Sequence, residues 1–133
     1  MRDSWGVLRY QRMENGSKKL IVDVDQGIVN VLFALTPKHY KLQRQMYPAH
    51  LSVVRNEWFE SSAWGKHEGE GVYFTYDPRT REDETYHWVI AWSDRLLDIR
   101  AELGLPAHQL GTTAPPDGEQ CFHITIGNTK RPK

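Results

Sequence analysis

The chain has 133 residues, the usual length of one domain and enough to bury a hydrophobic core. Lysine and arginine together number 17, as do aspartate and glutamate, so no overall positive charge would attract long nucleic acid. The single cysteine, Cys121, excludes an internal disulfide. Because the sequence holds neither an apolar run long enough to span a membrane nor a secretory signal pattern, we expect a single cytoplasmic domain, residues 1–133, that binds neither membranes nor duplex DNA.

The first predicted elements are a β-hairpin and a helix. Residues 5–10 and 19–24 have the composition of strands, and the Asn-Gly pair between them favours a tight reversal of the chain. Asp25 is placed to cap a helix that Pro37 ends, although residues 29–31 would also suit a strand. The residues expected on the buried face of this helix are Ile28, Val31, Leu32 and Leu35.

The middle of the chain is predicted to contain a basic segment and three strands. Residues 38–47 are polar and basic, and they lead into a strand at 49–54. Residues 72–76 and 85–92 have the composition of two further strands, separated by a charged turn. We expect these last two strands to form a second hairpin.

The second predicted helix has clear signals at both ends. Ser93 or Asp94 is placed to cap its start, and Gly104 stands where a helix commonly stops. Its expected buried face consists of Trp92, Leu96, Ile99 and Leu103. A last strand is predicted at residues 121–126.

Residues 20–54 and 88–126 share an order of elements: an apolar strand, a capped helix, a loop and a strand reading His, apolar, Ser or Thr. A long internal period of this kind indicates one structural unit used twice, each copy covering the apolar face of the other. The sequence therefore predicts an α+β fold: a duplicated two-lobed domain with antiparallel sheets, helices outside and a central groove between the two His-x-Ser/Thr strands.

The two motifs, His-Leu-Ser at 50–52 and His-Ile-Thr at 123–125, supply the groups that phosphoester cleavage needs. Alternate residues of a strand share one face, so each histidine lies beside its hydroxyl residue while the middle residue points to the core. Cleavage requires a base, an acid and donors to the non-bridging oxygens, and histidine suits both proton-transfer roles because its ordinary pKa is about 6.5. Since no His, Asp or Glu set has zinc-site spacing, we expect no metal and no cofactor.

With 6 histidines in the chain, a His-x-Ser/Thr pair can also arise by chance. Two observations argue against chance: both matches lie inside apolar strands, and each ends a similar strand-helix-strand unit. The other histidines, His39, His67, His87 and His108, have no such partner.

With these motifs the chain resembles the 2H phosphoesterase superfamily, whose signature is two His-x-Ser/Thr motifs in the two halves of a duplicated domain. The context at residues 46–55 and 115–128 is similar to that of small phage-type members. The resemblance implies that His50 and His123 are the acid and the base, in an order it leaves open, and that Ser52 and Thr125 hold the phosphate. Members act on 2′,3′-cyclic phosphates, 2′-5′ linkages, ADP-ribose cyclic phosphates or cyclic oligonucleotides, so the substrate also stays open.

Further candidate binding residues each have two interpretations. Arg55, at the mouth of the first motif strand, could bind a phosphate through two parallel hydrogen bonds, or it could be an ordinary surface charge. Tyr86, together with Tyr47 and Trp88, could stack on a nucleobase, although a small domain with 5 tryptophans must bury most of its aromatic residues.

The favoured hypothesis is a hydrolase: a metal-independent phosphodiesterase that cleaves a phosphoester in an RNA end, at a 2′,3′-cyclic phosphate or a 2′-5′ linkage, or in a small cyclic nucleotide. One alternative is a module of the same fold that binds a nucleotide or RNA end without cutting it. Another is a structural domain with two coincidental motifs. The sequence does not indicate an oligomeric state.

Overall fold

The computed structural model describes residues 1–12, 14, 16–55, 61–106 and 121–130. Asn15 of the first predicted turn, His108 and residues 115–120 of the second motif's context lie outside this range. The strands are β1 (Arg2–Arg12), β2 (Lys18–Asp23), β3 (Gln43–Arg44), β4 (His50–Val54), β5 (Gly71–Tyr76), β6 (Arg81–Glu82), β7 (Tyr86–Trp92) and β8 (Phe122–Asn128), and the helices are α1 (Gln26–Leu35) and α2 (Asp94–Glu102), with a 3₁₀ turn at Lys38–Tyr40.

The described strands pair antiparallel throughout, and their pairings close into a ring. β1 pairs with β2 and β5, β2 with β4, β4 with β8, β8 with β7, and β7 with β5. The two short strands extend this ring, β3 beside β8 and β6 beside β7. The α+β class, the antiparallel sheet and both predicted hairpins are confirmed, and the motif strands β4 and β8 are neighbours within the ring.

Helix α1 begins where its capping residue predicts but buries a different face. The Asp25 carboxylate accepts a hydrogen bond of 2.8 Å from the backbone N–H two residues later. Val29 and Leu32 are buried, whereas Val31 and Leu35 of the predicted face are 56% and 73% exposed. The apolar sequence offers two overlapping faces, and packing in the core uses the one centred on Val29 and Leu32.

Helix α2 follows its sequence signals closely. The Ser93 side chain accepts a hydrogen bond from the backbone of the first turn, and Gly104 adopts a positive φ of 76° just beyond the helix, a conformation that glycine allows without strain. Trp92, predicted on the helix face, instead ends β7, and the buried residues of the predicted face are Leu96, Ile99 and Leu103. Neither helix of the described part is long and apolar enough to cross a membrane.

The hydrophobic core lies between the two helices and one face of the ring. Its fully buried members include Leu51 and Val53 of β4 and Ile124 and Ile126 of β8, together with residues of both helices. Alternation along a strand directs the residues between them to the opposite face of the ring. The face that carries the functional candidates is therefore the one turned away from the helices.

Candidate functional site

The two motifs are joined by a single pairing of their middle residues. Leu51 of β4 lies directly opposite Ile124 of β8, and both side chains are fully buried in the core. The two strands therefore adjoin, backbone to backbone, where the sequence led us to expect a groove between them. The reason is that each middle residue is apolar, so burying both in one core brings their strands edge to edge.

This register assembles the four motif side chains on one face. In an antiparallel pair, the residue before one partner stands beside the residue after the other. His50 therefore lies beside Thr125, and Ser52 lies beside His123. All four side chains are half-buried, as expected of groups at the bottom of an open site.

Two buried isoleucines form an apolar floor next to this cluster. Ile21 of β2 is opposite Ser52, and Ile90 of β7 is opposite His123. Both isoleucines are buried, at 3% and 5% exposure, yet neither belongs to the main core on the helix side. They remove water from one side of the polar cluster, which strengthens electrostatic interactions there.

His50 has a defined hydrogen-bond arrangement. Its Nδ1 lies 2.9 Å from the carbonyl oxygen of Pro48, which can only accept, so Nδ1 donates and Nε2 of the neutral ring carries the lone pair that can accept a proton. Burial lowers the pKa of His50, the Pro48 carbonyl and the opposing Asp23 raise it, and the charges of Lys19 and Arg55 lower it further. In the absence of a bound anion, the neutral ring is favoured.

His123 lies in a more apolar setting. Its ring centroid is 5.7 Å from that of Trp88, a residue that stands opposite Thr125 on β7. Burial lowers the pKa of His123, and the positive charge of Arg81 lowers it further. His123 is therefore also neutral near pH 7 and ready to accept a proton.

Of the aromatic candidates, Trp88 is the one in contact with a motif histidine. Tyr86 lies two residues earlier on the same strand, at the end of β7 opposite Asn128. The ammonium of Lys130 is 5.0 Å from the centre of the Tyr86 ring. The structure thus places Tyr86 on the same face as Trp88 but one step farther along the strand.

Arg55 reaches the site face because of a β-bulge. Strict alternation would direct it away from Ser52, three residues earlier. The pairing of β4 with β2 skips one residue between Ser52 and Val54, and both Val53 and Val54 are fully buried in the core. The extra residue returns the side chain of Arg55 to the face that carries Ser52, beside Lys19. Burial lowers the pKa of Lys19, and the charge of Arg55 lowers it further.

Arg100 of α2 supports this bulge and was not singled out by sequence reasoning. Its side chain is fully buried, and its guanidinium donates hydrogen bonds of 2.7 Å to the carbonyl oxygens of Val53 and Pro106. An arginine near the end of an amphipathic helix resembles a solvent-exposed charge in the sequence. Only the tertiary position of the bulge reveals that this guanidinium ties the helix to the motif strand.

Two other charged residues near the site were also missed. Asp23, opposite His50, forms two hydrogen bonds of 2.8 and 2.9 Å with the guanidinium of Arg9 on β1. In the sequence both residues fall within predicted strands, and nothing in their spacing indicates that they meet. Their alternation with the buried strand residues was the available signal, because it places both on the face of the motifs.

Two hollows border His50. The smaller lies between the start of α1 and the motif strands, and among its lining residues are Gln26, Arg44, Gln45, Tyr47, His50 and Thr125. The larger is a cleft of about 720 Å³ that extends from His50 along β1 and β2. His50 lines both hollows, so a group bound at His50 would have space on both sides of it, whereas His123 is among the described lining residues of neither.

Within the described residues, no group of three or more His, Cys, Asp or Glu side chains is placed to hold a metal ion. No family model, curated protein or solved structure matches the chain.

Proposed function

We propose that the protein is a metal-independent phosphodiesterase of the 2H type, acting on an RNA end or a small cyclic nucleotide. The observation that carries this proposal is the pairing of Leu51 with Ile124, which gathers two histidines and two hydroxyl groups on one half-buried face. A structural domain would gain nothing from holding four polar side chains together beside an apolar floor.

The proposed reaction needs no group beyond these four. One neutral histidine takes a proton from water as the water oxygen attacks phosphorus, and the other, protonated, gives a proton to the ester oxygen as its bond to phosphorus breaks. The hydroxyl groups of Ser52 and Thr125 donate hydrogen bonds to the non-bridging oxygens, where negative charge develops. On a 2′,3′-cyclic phosphate the product is a nucleotide with one terminal phosphate.

The surroundings of the two histidines support different roles. The apolar walls around His123 favour its neutral form, which suits a general base. Burial lowers the pKa of His50 as well, but the Pro48 carbonyl and Asp23 raise it, and a bound phosphate would offset the charges of Lys19 and Arg55 that lower it further. We therefore assign His50 as the general acid and His123 as the general base.

The order and pairing of the elements support the duplicated, two-lobed arrangement that the resemblance implies. One proposed lobe is β1-β2-α1-β4, and the other is β5-β7-α2-β8. Each terminal strand pairs antiparallel with its counterpart, β1 with β5 and β4 with β8, as a two-fold axis between the lobes requires. The bulges also correspond, since the register shifts one residue after the motif in each lobe, at Val53 and at Ile126.

The proposed function is tested by incubating the protein, in EDTA, with RNAs ending in 2′,3′-cyclic phosphate, 2′-5′ oligonucleotides and cyclic dinucleotides. We expect turnover of at least one of them, reduced about 10²- to 10⁴-fold by His50→Ala or His123→Ala. His39→Ala, at an exposed position in the 3₁₀ turn, is the matched control. A folded protein that binds these compounds without converting any of them would be a binding module instead.

A further inference from the structure

The larger cleft beside His50 concentrates positive charge. It follows the β1–β2 hairpin, and among its described lining residues there is no acidic side chain. The cations that line it are Arg9, Arg12, Lys18, Lys19 and Arg55. Since the whole chain carries equal numbers of acidic and basic residues, this surface is a local feature with no counterpart in the net charge.

The cations at the inner end of the cleft are close enough to influence one another. Burial lowers the pKa of Lys19, and the charges of Arg55 and Arg9 lower it further. Arg9 has a partner in Asp23 at the level of His50 and also experiences the charge of Glu68, but neither carboxylate is among the described lining residues of the cleft. An anion placed between these side chains would relieve their mutual repulsion.

The cleft is longer than one phosphate group. Asp23 marks the level of His50, and Lys18 stands five residues earlier on the same strand, opposite Arg12, at the outer end of the cleft. The Lys18 ammonium lies 5.6 Å from the centre of the Trp64 ring, a contact that leaves its positive charge in place. At about 3.3 Å per residue the distance from Asp23 to Lys18 is roughly 16 Å. It leaves room for at least two phosphates beyond the one at the histidines.

Tyr47 adds an aromatic surface where the two hollows adjoin. It is 64% exposed, it lines both hollows, and its ring centre lies 5.6 Å from the ammonium of Lys19. Proteins that bind single-stranded nucleic acid combine an exposed aromatic ring with cations, because bases stack on the ring while the cations bind the phosphates. A simple polyphosphate has no base that could stack on this ring.

We propose that this cleft binds the nucleotides that continue from the scissile phosphate, so that the substrate is the end of a single-stranded RNA oligonucleotide. Cleavage of that substrate rests on the proposed function, whereas binding in the cleft does not. Arg55 and Lys19 contact the first phosphate beyond the histidines, Arg12 and Lys18 contact a later one, and Tyr47 stacks on a base.

Binding is tested separately from catalysis, with fluorescein-labelled oligodeoxynucleotides of two, four and six nucleotides and the His123→Ala protein. Affinity measured by fluorescence anisotropy should rise with length and fall with salt. Replacing both Arg12 and Lys18 by alanine should reduce the salt slope for the longest probe by about 1 to 2. The control removes two cations outside the cleft lining, Lys38 and Lys66, and circular dichroism verifies that both double variants are folded.

Affinity that does not depend on length, or an equal loss in the control, would overturn the inference. Tyr47→Ala should weaken binding more than Tyr47→Phe, since phenylalanine keeps the stacking surface. Equal effects of these two variants would exclude the stacking role.

A second experiment measures cleavage and compares kcat/KM for a tetranucleotide and a nucleoside, each ending in 2′,3′-cyclic phosphate. The tetranucleotide should be preferred, and the Arg12→Ala, Lys18→Ala double variant should reduce that preference. Cleavage of both without any preference, or a stronger preference for a cyclic dinucleotide, contradicts the cleft inference while the proposed function stands. Length-dependent binding without cleavage contradicts the proposed function while the cleft inference stands.

Discussion

Leu51 lies directly opposite Ile124, and this contact fixes the relative position of both motifs. Each of these residues points into the core, so the same pairing that buries two apolar side chains turns the two histidines to the opposite face. A shift of one residue in this register would exchange core and site residues on the shifted strand. Stability and activity are therefore coupled at one pair of residues.

Replacing Leu51 by alanine should reduce the free energy of unfolding by about 2 to 5 kcal/mol, because it opens a cavity in a packed core. Urea unfolding measures the loss. Leu35→Ala is the matched control, since Leu35 is 73% exposed and its truncation should change stability by less than about 0.5 kcal/mol. Equal effects of the two variants would contradict the position of Leu51 in the core.

The assignment of His50 as general acid predicts a dependence on the leaving group. A nucleotide p-nitrophenyl ester has a leaving group that needs no protonation, so the deficit of His50→Ala should shrink about 10²-fold on that substrate. The deficit of His123→Ala should persist, because the attacking water still requires a base. The measurement is kcat/KM for each variant on the ester and on the natural linkage, and the reverse pattern would exchange the two roles.

The lowered pKa values of His50 and His123 predict that stability falls in acid. In the unfolded chain both groups titrate near pH 6.5, whereas burial holds their folded pKa values below this. As the pH decreases through about 6.5, the unfolded state therefore binds more protons, and the free energy of unfolding decreases until the folded pKa values are also passed.

Urea unfolding at a series of pH values should accordingly show a shallower slope in this window for His123→Gln than for the parent. The comparison is His39→Gln, which removes an exposed histidine in place of a half-buried one. A parent protein with constant stability across the window would show that burial of the two rings does not favour their neutral forms.

Arg100 should be needed for both stability and substrate binding. Changing it to methionine keeps the length of the side chain but removes the donors to the Val53 and Pro106 carbonyls, at a cost of about 1 to 3 kcal/mol. Because Val53 forms the bulge that orients Arg55, KM should rise as well. Arg79→Met, at an exposed position that pairs only with nearby Asp77 in the described structure, should leave both quantities nearly unchanged.

The local elements could be predicted from the sequence because their signals are local. Asp25 and Ser93 cap helices through side-chain bonds within the first turn, and Gly104 ends one with a positive φ. β1 is longer than predicted, Arg2–Arg12 instead of 5–10, because its first half pairs with β5 more than 60 residues away in sequence. Pairing with so distant a segment has no signal in the residues of β1 itself.

The motif residues could be identified from the sequence, but their arrangement could not. Alternation correctly separates Leu51 from its polar neighbours, whereas the opposition of Leu51 and Ile124 depends on the closure of the whole ring. The position of the basic surface could not be predicted for a similar reason: Arg9 and Lys19 lie on different strands, and Arg55 directly follows a third. In the net charge of the chain these cations are balanced by acidic residues elsewhere, and they form a basic surface only when the chain is folded.

The bulge at Val53 has a consequence for how the protein tolerates length changes. Deleting one of the two adjacent valines would make β4 regular again, and Arg55 would then point toward the core while His50 and Ser52 kept their places. Such a deletion leaves every motif residue intact and still removes a cation from the cleft. Among sequences of this kind, the number of residues between the motif serine and the arginine is thus as informative as the motif itself.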